Sequence, residues 1–246
     1  MNSGADLAKQ EIRTRVWDLL ERANVIEPGV HGYIPAFTGA DVAADRLARL
    51  PAWLAAKVIK AVPDRAQQPV RERALRDGKL LYMAVPKLAD DPPFYLLDPA
   101  NLTLPPAEAA SREGAARTAR KIGLAQMRPV DLVVCGSVAV NRAGARLGKG
   151  AGYSDIEVAL LQEGGLIRPH TVIATTVHPL QVVNEPLPET EHDFSVDLIV
   201  TQDEVFECGP PRRPGGLYWE HLTAEKIAAI PVLAARAAAS AREPGA

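Results

Sequence analysis

Cysteine is nearly missing from this 246-residue chain: it occurs only at Cys135 and Cys208. The two stand in no metal-ligand spacing, so neither a disulfide framework nor a thiolate metal centre can organise the fold, and Cys135, inside an apolar run, reads as a buried structural thiol. No stretch approaches 18 apolar residues without a charge, and MNSGADLAKQEIRTRVWDLL lacks the uninterrupted apolar segment of a secretory signal. The expectation is a cytoplasmic protein with no membrane partner. Positive charge is not in excess either, with 28 Lys and Arg against 30 Asp and Glu, so no nucleic-acid partner is expected and any anion site must be local. Several motifs are absent as well: GxGxxG, a Lys-Ser/Thr pair closing a GxxxxG frame, a GxSxG elbow, and any HxH or HxxxH pair. Their absence excludes a Rossmann fingerprint, a Walker loop, a hydrolase elbow and a paired-histidine metal site. His178 and His192 accordingly read as loop or partly buried imidazoles.

With 47% hydrophobic residues the chain can bury a core of ordinary size, and one domain is favoured. Its most informative stretch is Gly136 to Glu157, GSVAVNRAGARLGKGAGYSDIE. A strongly apolar run, Val130 to Cys135, precedes it, and Ser154-Asp155 gives a helix-start signal before Ile156 to Gln162. Backbone amides in a glycine turn between strand and helix can close around an anion, and the helix end adds partial positive charge. A glycine-rich turn alone is as readily just a tight turn. Arg146, Lys149 and Asp155 tip the balance: two cations for phosphate oxygens beside a carboxylate for magnesium is the arrangement phosphoryl transfer needs.

Elsewhere the pattern predicts a helix over Asp6 to Ala23, on which Lys9 and Arg13 lie four apart; read alone they form a solvated basic face. A loop over His31 to Ala40 leads into a helix ending near Leu50. Ala52 to Val62 is ambiguous: helix is possible from Leu54 onward, but Lys57 to Val62 alternates as a strand does before the turn at Pro63-Asp64, and strand is chosen. A short helix over Pro69 to Asp77 stops at Gly78. Leu80 to Val85, Phe94 to Leu97, Val130 to Cys135, Thr171 to Val177 and Phe194 to Thr201 read as strands, with Val205 to Glu207 an edge partner. Glu108 to Lys121 reads as one Ala/Arg-rich helix with Gly123 as its C-cap. PPRRPGG reads as a linker, and Thr223 to Ala241 as an appended helix interrupted at Pro231. Helices alternating with buried strands imply an α/β fold with a mainly parallel sheet and ligands beyond the C-terminal strand ends.

The wording GSVAVNRAGARLGKGAGYSD resembles the C-terminal signature of the 5-formyltetrahydrofolate cyclo-ligases, or methenyltetrahydrofolate synthetases, and the resemblance runs from about Lys9 to about Cys208. It implies the three-layer α/β/α architecture shared with sugar-phosphate isomerases and CoA-transferases, a cyclo-ligase-like domain over residues 1–208, and a linker and Ala-rich tail over 209–246. The implied reaction uses ATP and Mg2+ to phosphorylate the formyl oxygen of 5-formyltetrahydrofolate, after which the second folate nitrogen closes the methenyl ring. On the matching positions, Lys9 and Arg13 meet ATP phosphates. Arg146, Gly148, Lys149, Gly150, Ala151, Gly152, Tyr153 and Ser154 wrap the nucleotide and border the folate, with Lys149 and Tyr153 catalytic. Asp155 and Asp193 hold magnesium; read without the resemblance, Asp193 is an exposed loop Asp before a strand and Asp155 a helix cap. Gln181 matches a glutamine found upstream of the second metal position.

The pattern departs in three places. Pro86-Lys87-Leu88 stands where the family typically writes Pro-Arg-Tyr. Ser154 replaces the second Tyr of the family's GYYD. The Glu that grips the pterin ring, just before the short helix preceding Gly78, has no Glu counterpart in Val62-Pro-Asp-Arg-Ala-Gln-Gln-Pro-Val70, a difference worth roughly 1.5 to 3 kcal/mol of charge-assisted bonding. IPAFTGA, VIKAVPD, CGSVAV and VHPLQVV are closer to the cyclo-ligase-like branch containing the methenyltetrahydrofolate synthetase domain-containing proteins, although no RNP-type RNA motif is present. Two alternatives therefore stand beside cyclo-ligase turnover: an ATP-dependent enzyme on another, thiamine-related substrate, and a nucleotide-binding regulator. Either a monomer or a homodimer is compatible with the sequence.

Overall fold

A computed structural model describes residues 3–240 of the chain. Helices α1 (Ser3–Arg22), α2 (Ala40–Leu47) and α3 (Pro51–Ala55) precede strand β1 (Val58–Ala61), helix α4 (Gln68–Arg76) and strand β2 (Leu80–Ala84). β3 (Phe94–Leu97), α5 (Pro106–Ala109), α6 (Arg112–Thr118) and β4 (Arg120–Ile122) lead to β5 (Val130–Cys135). Then come β6 (Ala139–Asn141), β7 (Arg146–Leu147), α7 (Tyr153–Glu163), β8 (Ile167–Thr176), β9 (Val182–Val183), β10 (Leu198–Val200) and β11 (Val205–Glu207). α8 (Ala224–Ala229) and α9 (Pro231–Ser240) close the described chain.

Eight strands form one sheet in the order β11-β10-β8-β5-β1-β2-β3-β4. The five central strands run parallel, and β11, β3 and β4 are antiparallel to their neighbours. Side chains alternate across the sheet, so one buried run of residues feeds two cores. Val58 of β1 and Val133 and Cys135 of β5 face a core shared with Ile156 and Leu160 of α7. Ile59, Ala61, Leu132 and Val134 face the opposite core, with Leu47 of α2, Trp53 of α3 and Val70 of α4. Helices thus cover both faces, giving the expected three-layer α/β/α arrangement. A third cluster holds α1, through Val16, Trp17 and Leu20, against Ala139 and Leu147 of the small sheet β7-β6-β9.

The chain winds outward from β1 through β2, then returns to place β5 on the other side of β1. The C-terminal ends of β1 and β5 are therefore the topological switch point, where an open α/β sheet leaves a crevice.

Within Ala52 to Val62 the strand expected over Lys57 to Val62 does form, as β1, while Pro51 opens the short helix α3 over the residues before it. Several local expectations are corrected. The single helix expected over Glu108 to Lys121 is broken, because Ser111 caps α6 by accepting from the Gly114 amide at 2.9 Å and Arg120–Ile122 pairs with β3. Gly123, expected as that helix's cap, follows a strand instead. β10 is shorter than the Phe194 to Thr201 run. The C-terminal segment does divide at Pro231, but it is no free appendage: Ile230 and Leu233 are fully buried in the main core. Ala241, the expected end of that helix, lies outside the described residues.

Candidate functional site

Between β5 and α7 the chain first makes the β6–β7 hairpin, so the glycine run Gly148–Gly152 leaves a strand end and enters the helix that starts at Tyr153. Gly150 has φ +94°, a conformation L side chains rarely adopt, and a Cβ there would lie 3.4 Å from the Arg13 guanidinium. The loop is thus shaped by glycine where α1 crosses it. Every residue expected to meet nucleotide or metal, namely Lys9, Arg13, Arg146, the run Gly148–Asp155 and Asp193, borders one cavity of about 400 Å³ at the switch point.

Lys9 and Arg13 do not form a solvated face: they are only 4% and 9% exposed. Arg13 Nε donates to the Gly148 carbonyl at 2.7 Å. Lys9 Nζ donates to Asp193 Oδ2 at 2.5 Å and to Thr190 Oγ1 at 3.2 Å. Asp193 is likewise no exposed loop residue; the Thr190 amide and hydroxyl also donate to its Oδ2, at 2.5 and 2.7 Å. Burial pushes its carboxyl up, but the bonds from Lys9 and Thr190 together outweigh burial and hold it below the ordinary aspartate value of 3.8. A carboxylate depressed in this way adds stability that is present above pH 3.8 and lost as pH falls through the lower folded value. We therefore expect the melting temperature of the ligand-free protein to exceed that of Asp193→Asn at neutral pH. The gap should narrow only below pH 3.8; a gap that closes already at pH 5 or 6 would sink this account.

Arg146 on β7 is 4% exposed. Its Nη1 donates to Asp155 Oδ1 at 3.2 Å, its Nη2 to the Gly136 carbonyl at 3.3 Å, and its guanidinium lies 4.4 Å from the Phe194 ring centre. Its Nε is buried without a partner, leaving one strong donor unspent beside the loop. Asp155 sits in the first turn of α7, and the residue in the N-cap position is Gly152. The cap role weighed for Asp155 is corrected accordingly. Burial raises its carboxyl above the usual range, with Asp193 adding to the shift and Arg146 opposing it.

Among the described residues no group of three or more His, Cys, Asp or Glu side chains is gathered to hold a metal by itself. Magnesium, however, typically takes one or two carboxylates and completes its shell with water and substrate phosphate. Asp155 and Asp193 border one cavity, and the charge of Asp193 helps to raise the Asp155 carboxyl; they are a donor set that fits such an ion.

Three features escaped the sequence reading. Asp64, directly after β1, accepts from Arg112 at 3.4 Å and lies 3.6 Å from Lys149 Nζ. It borders both the loop cavity and a neighbouring one of about 700 Å³ walled by the segment Asn24 to Ala40. A carboxylate thus stands where none had been assigned; its one signal was the position of Pro63-Asp64 at a strand end. His192 borders the loop cavity and its Nδ1 is 3.1 Å from Nδ1 of His221. Lys226 of α8 donates to the Ala151 carbonyl at 2.6 Å. Gln181 is buried and donates to the Ser137 and Val138 carbonyls at 2.7 and 3.2 Å, so it supports the backbone leaving β5. His178 accepts from the Leu180 amide at 3.2 Å, a structural role.

Residues 5–202 match the 5-formyltetrahydrofolate cyclo-ligase family. The methenyltetrahydrofolate synthase domain-containing protein of Bos taurus is 36% identical over 95% of this chain and 63% of its own length. The Mus musculus protein of the same name is also 36% identical, over 95% of this chain and 64% of its own. The chain therefore spans less than two thirds of those relatives. The NMR structure of Aquifex aeolicus 5,10-methenyltetrahydrofolate synthetase superposes over 87% of this chain and 99% of its own with a TM-score of 0.53 at 21% identity, a likeness of fold.

Proposed function

This chain belongs to the 5-formyltetrahydrofolate cyclo-ligase family, and from that premise we propose that it binds ATP at the glycine loop and uses it to close 5-formyltetrahydrofolate, or a related formamide, to 5,10-methenyltetrahydrofolate. The observation that carries the reading is the convergence of Lys9, Arg13, Arg146 and Lys149 with Asp155 and Asp193 around one loop at the switch point.

In this reading the formyl oxygen attacks the γ-phosphorus, the bond to ADP breaks, and the poor leaving group becomes a phosphate ester. The second folate nitrogen then attacks the formyl carbon, losing its proton as the bond from that carbon to the phosphorylated oxygen breaks and phosphate departs. The protein's task is to position the partners and to neutralise charge. Amides of Gly150 to Tyr153 at the start of α7 face the phosphates. Arg13 and the unspent Nε of Arg146 take phosphate oxygens, and Lys149 offsets the charge that develops on the transferred group. Lys9 keeps Asp193 ionised and aimed. Magnesium held by Asp155 and Asp193 would supply further neutralisation of the phosphate oxygens. Tyr153 borders the second substrate, and Asp64, in the passage to the larger cavity, accepts from an amine of its ring system.

The catalytic unit in this proposal is residues 1–208, with the C-terminal segment packed against it through Ile230 and Leu233. The assay is methenyl formation, followed by its near-ultraviolet absorbance with ATP, magnesium and 5-formyltetrahydrofolate. No product, with nucleotide still bound, would refute folate turnover. One observation favours the second reading, an ATP-dependent enzyme on another substrate: Asp64 is shorter than Glu and already leans on Arg112 and Lys149. In that case ATP is consumed with a different acceptor and no methenyl product appears.

A further inference from the structure

A second cavity, of about 260 Å³, opens from the glycine loop on the side of the C-terminal segment, sharing Gly150 to Gly152, Asp155 and His192 with the first. Its other wall comes from residues 216 to 226, beyond the residues 5–202 that match the family. Tyr218 and His221 stack with ring centres 5.4 Å apart and planes 11° from parallel, and both border the cavity. Ile156, Ala159, Leu217 and Leu222 give it an apolar lining.

This wall is built into the fold. The Leu217 amide donates to Glu163 Oε1 of α7 at 2.8 Å, and Arg236 of α9 pairs with the same carboxylate. Lys226 lies 3.6 Å from the Tyr153 ring centre while bonded to the Ala151 carbonyl, and burial lowers its ammonium pKa. His221 reaches His192, the neighbour of Asp193. Each tie from the segment ends on the glycine loop, on the helix that follows it, or beside the second carboxylate.

We propose that this cavity binds the purine nucleoside portion of the nucleotide, with the base against the Tyr218–His221 pair. The proposal rests on the phosphate reading of the glycine loop and adds where the rest of the ligand lies. Two ligands must reach one phosphate site from different sides for the phosphoryl group to pass between them. The larger cavity carries Asp64, an acceptor suited to an amine-bearing substrate, whereas the smaller one offers aromatic and imidazole rings over an apolar floor, as a planar base requires.

The test compares two probes in the presence of magnesium: a non-hydrolysable ATP analogue and inorganic tripolyphosphate. In Tyr218→Ala and in the milder Tyr218→Leu, analogue affinity should fall by between about 5-fold and about 100-fold, the range that base–aromatic stacking supplies. Tripolyphosphate affinity should stay unchanged, which also shows that the loop is still folded. Equal weakening of both probes, or unchanged analogue affinity while tripolyphosphate binds, overturns the nucleoside assignment alone. Failure of either probe to bind the unaltered protein overturns the phosphate reading first and this one with it.

Discussion

Asp155→Asn is expected to lower the magnesium-dependent affinity for nucleotide, and with it turnover, by at least about 100-fold. Partners that merely orient a metal ligand are worth about 10- to 100-fold, so loss of a ligand's own charge belongs at the top of that range or beyond. Stability should move too. Asp155 accepts from the buried Arg146, and Asn can still accept through its Oδ1 but no longer balances the guanidinium. A loss of about 1 to 3 kcal/mol follows, less than for complete removal of a partner from a buried pair. Two measurements on one preparation separate the roles: the magnesium titration of nucleotide binding reads the metal, and the melting temperature reads Arg146. A folded variant that keeps the magnesium dependence of the parent would remove Asp155 from the metal set and leave it as the partner of Arg146.

That experiment shows how far the sequence carried. The glycine run was legible because its chemistry is local: strand, turn, cations and carboxylate all fall within one stretch of chain. Lys9 and Asp193 were assigned to the site through resemblance, but their mutual ion pair joins positions 184 apart, and no periodicity announces such a contact. Read alone, both looked like solvent-facing charges, and burial alone reverses that. The strands Val130–Cys135, apolar but for Asp131, and Phe94–Leu97 stood out by their hydrophobicity. The helix expected from Glu108 to Lys121 did not survive, because Ala and Arg favour helix whether or not a serine cap and a neighbouring strand end it. The C-terminal segment misled for a similar reason. Pro and Gly mark it as a linker, while the two side chains that anchor it, Ile230 and Leu233, are buried by partners distant in sequence.

The largest expected change in stability lies below the site, at a pair no motif suggested. Lys60 of β1 points into the core shared with α7 and is fully buried against the nearly buried Glu157, with which it forms an ion pair. Lys60→Met should destabilise by about 3 to 5 kcal/mol, because it leaves a carboxylate buried without its cation. At roughly 2 to 4 °C per kcal/mol for a chain of this size, the melting temperature should fall by about 6 to 20 °C. Burial already raises the Glu157 carboxyl above the ordinary glutamate value of 4.5; Lys60 opposes that shift, and Asp64 and Asp155 add to it. Without Lys60 the folded value climbs further. A carboxyl raised in this way contributes stability that is full below pH 4.5 and lost as pH rises through the folded value. The deficit of Lys60→Met should therefore shrink on acidification toward pH 4.5 and widen on the alkaline side. Replacing both partners, as Lys60→Met with Glu157→Leu, removes the stranded charge and should recover most of the loss. Thermal unfolding of both variants across pH decides the matter. A single variant as stable as the parent, or a double variant no better than the single, would show that the pair is not held together by the charge balance argued here.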